Sequence, residues 1–261
     1  AGKGGISVGV SAVTLTNAVV TSNGWKITGL ASTAGLVVGQ TVTGDGIADG
    51  TTITRIGSNY IEISGRATAT GVVTLNAAAE TGILSGTGRI APGTVTTASV
   101  TTQQAIKVAA GSSVAPGDDG VGTLTLDGGS TTANLLTMAD GATFTFHLGL
   151  GGSSSQLAFW NYLTGDLTLE GAGTVLNFTG TPEEGTYTLM SFYSNSGTTA
   201  STAGITGGFV LGSGLDGYEG TLNYSGSNVT LTLAVVPEPG TWAMIVGGLG
   251  LLAMRCRMRR L

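Results

Sequence analysis

From Thr81 onward, apolar and polar residues alternate with a period of two in short runs bounded by glycine. Thr123-Leu124-Thr125-Leu126-Asp127 is the cleanest run. Thr143 to Leu148 puts Phe144, Phe146 and Leu148 on one face and His147 on the other. Asp166 to Glu170, Thr174 to Phe178, Gly185 to Phe192 and Asn228 to Val235 repeat the pattern, which predicts half-buried β-strands. Pro92-Gly93, Pro116-Gly117-Asp118-Asp119-Gly120, Gly128-Gly129, Gly151-Gly152 and Gly207-Gly208 stand between the runs as turn signals. Strand-to-strand spacing is irregular, roughly 10 to 25 residues, so the pattern predicts a loose solenoid or a sandwich rather than a fixed-period array. The stretch from Trp25 to about Leu75 differs, with shorter strands and tight turns at Gly44-Asp45-Gly46 and Asp49-Gly50. It reads as a small inserted β-module, with the strands of Gly5 to Val20 belonging to the main body. The expected division is residues 1–24 as the start of the solenoid, 25–76 as the module, 77–236 as the body and 237–261 as a separate tail.

Composition agrees with an all-β chain. Of 261 residues, 46 are glycine and only five are proline, and no three-residue period appears, which excludes collagen. Charged residues make up 10% and hydrophobic ones 41%, the opposite of a disordered acidic segment. Net charge is −5, but four of the ten basic residues are Arg255, Arg257, Arg259 and Arg260. Through Val236 there are six basic and fourteen acidic residues, net −8, with no basic side chain between Lys107 and Arg255. Nucleic-acid binding requires clustered Lys and Arg, and the body has no such cluster. Cys256 is the single cysteine and lies in the basic tail, so a disulfide scaffold and a thiolate metal site in the body are excluded.

The tail carries the sharpest signal. Trp242 to Met254 is thirteen residues without a charge, a helix of roughly 20 Å against a hydrocarbon core of roughly 30 Å, hence a marginal single span. Arginines directly after an apolar run remain cytoplasmic, which sends everything before Pro237 across the membrane. Pro237 and Pro239 cannot continue a strand ladder and hold Glu238 in an extended, reachable spacer. Pro-Glu-Pro, a short Gly/Leu-rich apolar helix and a terminal arginine cluster, in that order, resemble the PEP-CTERM sorting signal. The resemblance implies a recognition motif at Pro237, Glu238 and Pro239. It implies a membrane anchor with Trp242, Met244, Ile245, Val246, Leu249, Leu251, Leu252 and Met254 as its large apolar residues, and a basic stop at Arg255, Arg257, Arg259 and Arg260. It further implies an exosortase-type membrane peptidase as partner, transient inner-membrane anchoring, and delivery to the surface or matrix of a Gram-negative, exopolysaccharide-making bacterium. An N-terminal secretion signal is also part of that family pattern; the chain opens at Ala1 with neither Met nor an apolar core segment, so that signal is expected to be missing or trimmed.

A second resemblance covers about Thr81 to Val236. The stretches L-S-G-T-G-R-I-A-P-G, V-A-A-G-S-S-V-A-P-G-D-D-G, M-A-D-G-A-T-F-T-F-H-L and G-T-Y-T-L-M-S-F are similar to the last section of autotransporter-type passenger repeats. That family implies a right-handed parallel β-helix. The segment Trp25 to Leu75 resembles small β-modules of phage and bacterial surface proteins.

Catalytic chemistry is sparse. His147 is the single histidine, and no Gly-x-Ser-x-Gly elbow accompanies it. Asp118-Asp119 and Glu183-Glu184 lie in turn sequences, where carboxylates cap the backbone or face solvent. Trp160 and Tyr162 in F-W-N-Y are candidate walls of a sugar site, but no acidic partner is close in sequence. Gly86-Thr87-Gly88-Arg89-Ile90-Ala91 matches a dinucleotide-binding spacing, yet Pro92 prevents the helix that motif needs. No metal or cofactor is expected. The sequence thus points to a non-catalytic exported surface or matrix protein associated with extracellular polysaccharide. An adhesin-like carbohydrate-binding module and a β-helix carbohydrate-active enzyme remain as alternatives.

Overall fold

In a computed structural model of the chain, the described residues are 6–92, 94–97, 100–103, 105–117, 120–128, 135–161, 167–171, 173–194 and 208–237. Among them the structure is nearly all β, with a single 3-10 turn at Leu150–Gly152. No helix there is long and apolar enough to cross a membrane. The expected anchor from Trp242 to Met254 lies outside the described residues.

The body is built by successive passes of the chain that lay strands in parallel onto three sheets. One sheet joins Ile6–Val8, Ile106–Val108, Leu136–Met138 and Leu167–Leu169. A second joins Ile83–Gly86, Ser113–Pro116, Thr143–Leu148, Thr174–Gly180 and Phe209–Leu211. The third runs from Gly88–Ile90 through Thr123–Asp127 and Gln156–Trp160 to Gly185–Phe192. Like residues meet like: Ile6, Ile106, Leu136 and Leu167 share one column, and Val8, Val108, Met138 and Leu169 another. In the second sheet Leu84, Val114, Phe144, Leu176 and Leu211 align. The period-2 pattern therefore becomes continuous apolar columns that converge on one core. Within it the Phe159 and Phe192 rings stack at 4.9 Å between centroids, and both side chains are fully buried.

The expected irregular spacing resolves once strands are compared with their partners rather than their neighbours in sequence. Ile106 pairs with Leu136 and Leu136 with Leu167, offsets of 30 and 31 residues. Corners between the first and second sheets are four-residue turns. Ser112 donates its N–H to the Ala109 carbonyl, and Ala142 to that of Ala139. Gly111 (φ +75) and Gly141 (φ +79) take the third position, where this reversal needs the left-handed region.

Two insertions interrupt the first pass. The strands Thr94–Thr97 and Val100–Gln103 pair as an antiparallel hairpin. The larger insertion is the small module, two three-stranded antiparallel sheets over a separate core of Leu15, Ile27, Val42, Ile53, Ile61 and Leu75 among others. The stretch Gly5 to Val20, expected to belong wholly to the body, divides. Ile6–Val8 joins the parallel stack, whereas Val13–Val20 pairs antiparallel with Gly71–Ala77 and buries Leu15, Ala18 and Val20 in the module. A bulge between Leu15 and Ala18, with Asn17 at φ +58, bends that strand.

The stack closes with an antiparallel hairpin. Asn228–Val235 pairs with Gly185–Phe192 on one side and Tyr218–Ser225 on the other, burying Val229, Leu231 and Leu233. Two tyrosines pin the turn beneath it. The buried Tyr187 hydroxyl accepts the Glu183 N–H at 2.7 Å and donates to the Glu183 carbonyl at 2.9 Å, and the Tyr218 hydroxyl donates to the Pro182 carbonyl at 3.0 Å.

Phe159→Ala removes a stacked, fully buried ring and should lower unfolding free energy by about 3–5 kcal/mol. Gly141→Ala has room for its Cβ, whose nearest neighbour would be the Ala110 Cβ at 3.8 Å, so it should cost only the dihedral strain, about 1–2 kcal/mol. Denaturant unfolding of both variants measures the difference.

Candidate functional site

Two regions gather candidate functional residues: the point where the chain leaves the fold, and one polar–aromatic column on the outer face of the third sheet.

At the exit, Val235 still pairs with Tyr218, and the Val236 N–H donates to the Gly217 carbonyl at 3.0 Å. The side chains of Val235 and Val236 are nevertheless about half exposed, and Pro237 is exposed as well. The strand ladder ends within two residues of Val235, where Pro237 has no N–H with which to extend it. Residues 235–260 match the PEP-CTERM protein-sorting motif. The chain is therefore an exported, cell-surface-directed protein with a C-terminal sorting signal, of the kind that exosortase-type proteases process. Comparison with curated proteins gives no match, and neither does comparison with solved structures. The match begins on Val235, the last residue of the closing strand, so the signal abuts the folded body directly. Of the residues expected to form it, Pro237 is described; Glu238, Pro239, Trp242, Met244, Ile245, Val246, Leu249, Leu251, Leu252, Met254, Arg255, Arg257, Arg259 and Arg260 lie outside the described residues.

The second region lies where outward positions of successive passes line up. In Thr123–Asp127 the inward residues are Leu124 and Leu126, so Thr125 and Asp127 face out. Asp127 registers with Trp160, and Phe159 with Phe192, which brings Tyr193 beside Trp160. The two rings lie 5.4 Å apart, tilted by 37°. From the preceding pass, Arg89 registers with Thr125 and reaches across to Asp127, donating from both Nε (3.0 Å) and Nη2 to the same carboxylate oxygen. Its guanidinium sits 5.9 Å from the Trp160 ring centroid. Asn161, at φ +56, turns its Nδ2 onto the other oxygen of Asp127 at 2.8 Å. The Asp127 side chain is 12% exposed and that of Arg89 54%, so the carboxylate anchors and the guanidinium remains accessible. Trp160 is 38% exposed. The acidic neighbour that Trp160 lacks in sequence is thus supplied by the strand beside it. Tyr162, its expected companion, lies outside the described residues, and Tyr193 takes that position.

His147 faces outward beside Thr179, with Nδ1 and the Thr179 hydroxyl 3.4 Å apart, and its backbone N–H donates to the Ser155 hydroxyl. Glu183 accepts the Gly151 N–H at 3.1 Å, a turn-bracing contact. Asp118 and Asp119 lie outside the described residues. In Gly86-Thr87-Gly88 the chain turns directly from one strand into another, so no helix follows. A groove of about 410 Å³ runs between the module and the first sheet, with Lys107 and Glu170 at its walls beside Val10, Val13 and Gly35. On the module itself, Arg66 stacks over the exposed Trp25 and the Lys26 ammonium over Tyr60.

Asp127→Ala should cost more stability than Arg89→Ala. Loss of the carboxylate leaves two donors, Arg89 and Asn161, without their acceptor, while loss of the half-exposed arginine removes one screened pair. The expected values are about 1–3 kcal/mol and about 1 kcal/mol or less, read by denaturant unfolding.

Proposed function

We propose that the protein is a non-catalytic component of the cell surface or extracellular matrix, exported and sorted through its C-terminal signal and associated with extracellular polysaccharide. In this reading the parallel stack is a right-handed β-helix of the autotransporter-passenger type, serving as a scaffold. The tail is a detachable address: Trp242 to Met254 held transiently in the inner membrane, Arg255 to Arg260 kept on the cytoplasmic side, and Pro237-Glu238-Pro239 presented to the peptidase. The observation that carries the proposal is the match over residues 235–260, beginning on the last residue of a closed hairpin. Val229, Leu231 and Leu233 bury the strand before the signal, and Val235 and Val236 are exposed, so removal of the tail leaves that packing intact. Outward threonines at 125, 137 and 145 offer hydroxyls without net charge, a surface suited to polysaccharide hydroxyls.

An adhesin-like role for the module is the second reading. The exposed Trp25 with Arg66 across its ring is the feature that favours it.

Intact-mass analysis of the protein released by a producing cell tests the proposal. The expected product has lost the residues after the Pro-Glu-Pro stretch, and replacement of Pro237, Glu238 and Pro239 by alanine should leave the chain uncleaved. A full-length, membrane-held form as the sole product would contradict it.

A further inference from the structure

The Arg89–Asp127–Trp160–Tyr193 column has more hydrogen-bonding capacity and more ring surface than folding uses. We propose that it is a binding platform for a neutral polysaccharide chain, in which Trp160 and Tyr193 stack against pyranose rings while Arg89 and Asn161 bond the ring hydroxyls. The proposal rests on the polysaccharide association put forward above and names the surface and ligand class responsible.

Asp127 accepts from Arg89 on one oxygen and from Asn161 on the other. That fixes both partners in place with valences left over. Arg89 Nη1, the Asn161 side-chain carbonyl and the Tyr193 hydroxyl have no hydrogen-bond partner among the described residues. An aromatic pair flanked by Arg89 and Asn161, both held by the largely covered Asp127 carboxylate, meets the requirement for orienting a ligand that is apolar on its ring faces and hydroxylated at its rim. Pre-ordering by the Asp127 contacts lowers the entropic cost of immobilising the arginine on binding.

Charge decides the ligand class. The Arg89 cation is compensated by Asp127 within the cluster, and the body up to Val236 carries a net charge of −8. A polyanionic chain such as a uronate would meet an unfavourable field. A neutral glycan meets none.

The direction of the ligand follows from the register. Asp127, Trp160 and Tyr193 occupy one outward column perpendicular to the strands, so an extended glycan would lie across the passes, parallel to the stacking direction. The neighbouring outward positions, Ala158 and Ser191, are small and buried, and the exposed ring surface of the column is that of Trp160.

The test uses the purified full-length protein with cellohexaose and laminarihexaose as neutral probes and hexagalacturonate as the acidic one, read by titration calorimetry and by tryptophan fluorescence. Saturable binding to a neutral hexasaccharide is expected, with a blue shift that survives Trp25→Phe. Trp160→Ala and Tyr193→Ala should each weaken binding by about tenfold or more, and Trp160→Phe should retain most of it. Circular dichroism and thermal unfolding of each variant separate loss of binding from loss of fold. Undiminished binding in the Trp160→Ala/Tyr193→Ala double variant would overturn the platform while leaving polysaccharide association standing. Binding to hexagalacturonate alone would overturn the neutral class, and binding to none of the probes would overturn the inference while the mass test of sorting stands independently.

Discussion

In-register stacking of inward side chains between successive passes is the constraint on which the rest of the structure depends. A strand such as Leu136–Met138 buries two residues and cannot persist alone; its place is set by Ile106–Val108 on one side and Leu167–Leu169 on the other. Each pass contributes few apolar residues, so stability depends on those few meeting their counterparts. A slip of one position would turn Phe144 and Phe146 to solvent and bring Thr145 and His147 inside. Glycine corners serve the same end, reversing the chain sharply enough that the next strand begins opposite its partner.

The same register generates the outer surface. Because inward columns align, outward columns must align as well, and residues remote in sequence become neighbours without any loop to bring them together. Asp127, Trp160 and Tyr193 meet in this way. The column shares its strands with the core: Phe159 and Phe192, stacked inside, are the sequence neighbours of Trp160 and Tyr193 on the outer face. The module, by contrast, folds around its own core, and the outward side of the stack and the module's edge together form the Lys107–Glu170 groove.

Much of this was legible in the sequence, for definite reasons. Period-2 alternation is a local property, so Thr123–Asp127, Thr143–Leu148, Gly185–Phe192 and Asn228–Val235 could be read directly as strands. Pairing is not local. The offset of about thirty residues is masked by the module and by the hairpin at Thr94–Gln103, both inserted into the first pass. Alternation also fails to say which sheet a strand joins, hence the misplacement of Val13–Val20. The polar column was half visible: Trp160 stood out as an aromatic, but its partners required the register. A signal was present, since Asp127, Trp160 and Tyr193 recur at equal intervals, as do Leu126, Phe159 and Phe192 inside. The sorting signal needed no fold at all, because its information lies in the order of three short segments along the chain.

The central claim is that consecutive passes stack in parallel with the stated register, and spin labels test it most directly. With Cys256 replaced by serine, labels introduced through Thr145→Cys and Asn177→Cys sit on registered positions of adjacent strands, about 5 Å apart at the backbone. Strong dipolar broadening of the resonance spectrum is predicted for the double-labelled protein relative to the sum of the singly labelled ones. A spectrum indistinguishable from that sum would contradict the stack.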